Sequence, residues 1–187
     1  MNQAAETMDA VDNILAQWQR EISELEAEHM LLIGRLKRCA ALLTPKLEQV
    51  FSQYGLGSGT FDVLATLRRS GHPYCLTPTE LFSALMVTSG TMTTRLKNLE
   101  TRGLIARLPN PHDARSLLVQ LTPPGKELIE KALFPHVANE KQLLAALPPQ
   151  VRTRLEADLK VLLQVLEMPP HDDDGNPSDN DRQTKAT

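Results

Sequence analysis

The sequence predicts a mainly α-helical protein with a small β-wing, and three observations carry that prediction. Over most of the chain, apolar residues recur at intervals of three and four, the period of an amphipathic helix. Two short apolar runs, residues 104–108 and 117–121, break this pattern and are joined by Pro109-Asn110-Pro111-His112-Asp113-Ala114-Arg115. Two prolines and an asparagine oppose helix there and favour turns, so the runs read as a hairpin with an exposed basic tip. Immediately before them lie two short helical patterns separated by Met86-Val87-Thr88-Ser89-Gly90, whose small residues permit a tight turn. Together these segments read as a helix-turn-helix over residues 77–102 followed by a wing over 104–121.

The remaining elements follow in order. A short helix over residues 9–20 carries Val11, Ile14, Leu15 and Trp18. After a break near residues 24–28, a long helix over 29–54 places Leu32, Leu36, Leu43, Leu47, Val50 and Phe51 on one stripe, with Pro45 expected to kink or split it. A turn at 55–59 leads to a helix over 60–70 that ends at Gly71-His72-Pro73. Thr77-Pro78-Thr79-Glu80 is a capping box with proline at the first helical position. The second helix of the motif spans about 89–102, with Met92, Leu96 and Leu99 buried and Gly103 as its stop. Beyond the wing, Thr122 caps a helix that Pro135 should bend and that continues to about residue 146. Pro148-Pro149 opens the last helix, where Val151, Leu155, Leu159, Leu162 and Leu166 repeat every three or four residues. Such terminal helices are too apolar to stand alone, and burial against a second copy is the usual remedy. The expected organisation is an N-terminal extension (1–27), a DNA-binding and dimerisation domain (28–168) and a disordered acidic tail (169–187).

The face of the second helix opposite its buried stripe carries Ser89, Thr91, Thr93, Thr94, Arg95, Lys97 and Asn98. Hydroxyls, an amide and two cations can hydrogen-bond base edges and phosphates in a major groove. At the wing tip, Asp113 and Arg115 extend that interface. Charge is distributed accordingly. Residues 68–115 hold seven Lys+Arg against three Asp+Glu, whereas residues 1–28 hold one against seven and residues 167–187 two against six. The overall net charge of −3 thus hides a basic middle between acidic ends, and the local field is what matters for DNA.

The stretches LTPTELFSALMVTSGTMTTRLKNLETRGLIAR and LPNPHDARSLLVQLTPPGKEL resemble the MarR family of winged helix-turn-helix transcription regulators, over about residues 29–166. The resemblance implies a homodimer on a pseudo-palindromic double-stranded DNA operator. In that family the wing tip carries Asp-Arg-Arg; here Asp113 and Arg115 match, while Ala114 replaces the middle arginine. The segments ILAQWQRE, MLLIGRL and FDVLATLRRSG further resemble the urate-responsive, PecS-type subgroup. That likeness implies a ligand site at Trp18, Asp62, Arg69 and Arg107, with Phe61 where the subgroup usually has tryptophan. Two arginines can fork onto the oxygens of a planar anion and an indole can stack on it. Asp62 would then compete with the anion for an arginine. The implied function is a repressor released from DNA by urate, a related purine or an aromatic acid.

Other readings compete residue by residue. By spacing alone, Asp62 and Arg69 are a surface charge and a helix C-terminal cation, and Trp18 is packing. His72, Cys75, His112 and Asp113 have no recognised metal-ligand spacing. The acidic run at 171–174 reads as a solvated tail. Cys39 and Cys75 are too few for a disulfide framework, and redox sensing would need a neighbour that promotes the thiolate. No nucleophile elbow or phosphate-binding glycine loop is present, so neither an enzyme nor a cofactor is expected. The acidic N-terminus lacks the apolar region of a secretory signal, and no apolar run approaches membrane-spanning length, so a cytoplasmic protein without a membrane partner is expected. The alternatives left open are a metal- or redox-sensing regulator of the same fold and a ligand-blind architectural DNA-binding protein.

Overall fold

The computed structural model describes residues 8–85, 92–111, 113 and 116–168. It divides into two compact units, Met1–Leu143 and Leu144–Thr187. The first unit holds six helices and three strands among its described residues, and the second holds one helix.

Helix α1 (Ala10–Glu21) begins at a reciprocal cap: the Asp9 carboxylate accepts from the amides of Val11 and Asp12, and Asp12 accepts from the Asp9 amide. The same two carboxylates receive Arg35 of α2 (His29–Ser52), at 2.8 Å from Asp9 and 2.6 Å from Asp12. Arg35 thereby holds the Asp9 carboxyl at about 2, chiefly through that hydrogen bond. Close approach of the helices depends on Gly34, where a Cβ would lie 2.7 Å from Val11 Cγ1. Contrary to expectation, Pro45 does not split α2. The bond it cannot donate belongs to the carbonyl of Ala41, an exposed residue that water can serve, so the cost of the missing amide is small.

The core gathers around α3 (Ser58–Arg69), whose Val63, Leu64 and Leu67 are fully buried. Phe61 stacks on Phe51 of α2 with ring centroids 4.2 Å apart, and His136 of α6 (Pro123–Leu143) meets both rings. Ile129 and Ala132 complete the packing of α6 against this layer.

The expected hairpin is present, with a third strand added to it. Strand β1 (Cys75–Leu76) pairs with β3 (Leu117–Leu121), which pairs with β2 (Ile105–Pro109); both pairings are antiparallel, giving the order β1-β3-β2. A two-residue strand between Pro73 and Pro78 is too short to show a period in sequence.

Helix α4 (Pro78–Ala84) starts at the expected box, with Thr77 and Glu80 each accepting from the other's amide. Helix α5 (Met92–Thr101) buries Leu96 and Leu99 and ends at Gly103, whose φ of +68° favours glycine. Thr122 joins this end to α6: its hydroxyl donates to the Gly103 carbonyl and accepts from the Gly125 amide. Helix α6 continues through Pro135 to Leu143, three residues short of the expected end. In the second unit, α7 (Pro149–Glu167) opens at Pro149 as expected and buries none of its residues. The segment expected to be a disordered tail lies outside the described residues.

Candidate functional site

Burial of Leu96 and Leu99 turns the opposite side of α5 outward, and Thr93, Thr94, Lys97 and Asn98 are exposed on it. Arg95 behaves differently. It is half-buried, and its guanidinium lies over Gly59 in the first turn of α3, where any Cβ would collide with the Arg95 Cζ and Nε. Arg95 therefore braces α5 against α3, a contact open only because residue 59 has no side chain. Sequence periodicity places it on the polar side of α5 but carries no information about the gap at Gly59.

The wing turn is closed locally. Asn110 donates through Nδ2 to Ser116 Oγ at 2.7 Å, and the Ser116 amide donates to the Asp113 carbonyl at 3.0 Å. Asp113 is exposed at the tip. Ser89, Thr91 and Arg115 of the expected interface lie outside the described residues.

The four residues of the expected anion site sit on four elements or element ends. Trp18, on α1, is 42% exposed. Asp62 is half-buried on α3, next to the stacked Phe61. Arg69 ends α3, and its Nη2 donates to Thr66 Oγ1 at 3.2 Å and to the carbonyl of Ala84, the last residue of α4. Arg107, on β2, pairs with Glu100 of α5 at 3.2 Å. A cavity of about 590 Å³ groups Arg69 with Ala65, Arg68, Glu130, Leu133 and Phe134. Apolar walls with arginine at the edge suit a planar organic anion.

Arg68 and Glu130 were not singled out by sequence. Arg68 donates to Glu130 at 2.7 Å and lies 5.0 Å over the Tyr74 ring. Arg68, and then Lys126, holds the Glu130 carboxyl below its usual range. Arg68 was visible as the neighbour of Arg69, but nothing in the sequence relates either residue to Glu130, more than sixty positions away.

Burial, and secondarily the charge of Glu80, pushes the Cys75 thiol up, which disfavours the reactive thiolate. Cys39 is exposed on α2. Among the described residues, no group of three or more His, Cys, Asp or Glu is placed to hold a metal ion. No helix among them is long and apolar enough to cross a membrane.

Comparison with known proteins agrees with this architecture. Residues 54–116 match the MarR family model. The HTH-type transcriptional regulator PecS of Dickeya dadantii (strain 3937) is 42% identical over 147 residues, covering 79% of this chain and 89% of that protein. The multiple antibiotic resistance protein MarR of Salmonella typhimurium is 36% identical over 100 residues, 51% of this chain and 67% of that protein. Among solved structures, a mutant of Escherichia coli MarR complexed with operator DNA matches with a TM-score of 0.64 and 29% identity, covering 75% of this chain and 99% of that one. The exposed polar face of α5, the three-stranded wing and these likenesses lead to one assignment: the chain belongs to the MarR family of DNA-binding transcription regulators, and within it is PecS-like.

Proposed function

We propose that this regulator is a cytoplasmic homodimeric repressor that binds a pseudo-palindromic operator and leaves it when a small anion, namely urate, a related purine or an aromatic acid, occupies the site at Trp18, Asp62, Arg69 and Arg107. The observation that carries this reading is the position of Arg69. One side chain reaches a cavity able to accept an organic anion and also bonds the carbonyl end of α4, the first helix of the DNA-binding motif. The brace between Arg95 and Gly59 supplies a second mechanical link, so a displacement of α3 is transmitted to α5. Thr93, Thr94, Lys97 and Asn98 supply base-edge and phosphate contacts, joined by Ser89, Thr91, Asp113 and Arg115.

Dimerisation is supported by apolar side chains that neither unit covers. Phe134 of α6 is 81% exposed. On α7, Leu155, Leu159 and Leu166 are 45%, 40% and 72% exposed, which fits helices that bury this surface against another copy.

Isothermal calorimetry of urate with the wild type and with Arg69→Ala tests the ligand site, and fluorescence anisotropy of labelled operator DNA tests its consequence. The expected result is saturable urate binding that weakens operator affinity, with both responses lost in Arg69→Ala and dimerisation retained. Undiminished binding by Arg69→Ala, or operator affinity indifferent to urate and to other purines and aromatic acids, would refute the ligand reading.

A further inference from the structure

The two arginines assigned to the anion each hold one helix of the DNA-binding motif. Neither α4 nor α5 has a basic residue of its own in its last turn. A helix C-terminus leaves carbonyls without intrahelical donors and concentrates partial negative charge, so a cation there is stabilising. Arg69 provides that cation to α4 by donating to Ala84 O. At α5 the need is greater, because Glu100 places a full negative charge in the last turn, and Arg107 of β2 offsets it at 3.2 Å.

We infer that Arg69 and Arg107 clamp the ends of α4 and α5 in the ligand-free protein, and that an anion releases DNA by taking both guanidinium groups from the Ala84 carbonyl and the Glu100 carboxylate. The inference rests on the ligand reading above and adds the groups with which the ligand competes. A planar oxyanion can accept two parallel hydrogen bonds from one guanidinium, whereas the Ala84 carbonyl offers a single oxygen. Glu100 is a weak competitor because its side chain is 42% exposed and the pair is screened by solvent. Occupation of the site then leaves the α4 carbonyl without its cation and Glu100 uncompensated, and both helix ends loosen together. Glu100 thereby acts as a positioning residue that sets ligand affinity without touching the ligand.

The test is Glu100→Gln. Calorimetry with urate should show binding tightened roughly two- to fivefold, the range for loss of a partly exposed competing ion pair. In an Arg107→Ala background the same substitution should have no effect, closing a double-mutant cycle on the pair. Hydrogen exchange over residues 78–85 should quicken when urate is added to the wild type, because the Ala84 carbonyl loses Arg69. Urate affinity unchanged by Glu100→Gln in a wild type that binds urate would overturn the inference and leave the ligand reading intact. Equal effects with and without Arg107, or exchange over 78–85 insensitive to urate, would overturn it likewise. A wild type that binds no urate, purine or aromatic acid defeats the ligand reading, and this inference with it.

Discussion

Lys97 and Asn98 are adjacent and exposed on α5, yet they should contribute to DNA binding in different ways. An ammonium neutralises phosphate without regard to base, so Lys97→Ala should weaken specific and non-specific DNA alike and reduce the salt slope by about one unit. A side-chain amide can read a base edge, so Asn98→Ala should lower discrimination between operator and mutated operator by about 1–3 kcal/mol with the slope preserved. Anisotropy titrations over a salt series separate the two outcomes. Arg95 shows why residue roles are harder to read than faces. Its place on the polar side follows from the spacing of Leu96 and Leu99, but its seat over Gly59 depends on a contact between helices remote in sequence. The same holds for Arg69: its type and position were legible, while its bond to the Ala84 carbonyl required the packing of α3 against α4.

Elements were legible where local chemistry defines them. The box at Thr77 and Glu80 marks the start of α4 in sequence and closes as expected, with the Glu80 carboxyl held below its usual range chiefly by the Thr77 amide. Thr77→Ala should therefore cost about 1 kcal/mol of stability in chemical denaturation. Strand β1 was not legible because two residues carry no period, and the continuity of α2 was missed because the penalty of Pro45 depends on solvent reaching Ala41. The attachment of α1 predicts a pH effect. Asp9 is held at about 2 against an ordinary 3.8, so its pairing with Arg35 contributes fully above about pH 4 and is lost as pH falls through about 2. Circular dichroism and Trp18 emission should show α1 loosening in that acid window, and Arg35→Ala should remove the step by loosening α1 already at neutral pH.

At the scale of the whole molecule, the exposed apolar side chains of α6 and α7 call for a second copy of the chain. Sedimentation should give a dimer at micromolar concentration, unchanged when residues 169–187 are deleted, since that polar segment has too few apolar side chains to pack. A two-fold dimer presents its recognition helices about 34 Å apart, so footprints should cover half-sites about one helical turn apart. The need for a partner was legible in the stripe from Val151 to Leu166. Its geometry was not, because period reports which face is apolar and nothing about what covers it.

The central claim is that anion binding and operator release are one event. Trp18 is the sole tryptophan, so its emission reports the proposed site without labelling. The most direct measurement follows Trp18 emission, corrected for absorption by urate, together with the anisotropy of labelled operator in a single urate titration. The account predicts a saturable quench and a loss of operator binding over the same concentration range, both absent in Arg69→Ala. A quench that saturates while the operator stays bound, or release that proceeds unchanged in Arg69→Ala, would contradict it.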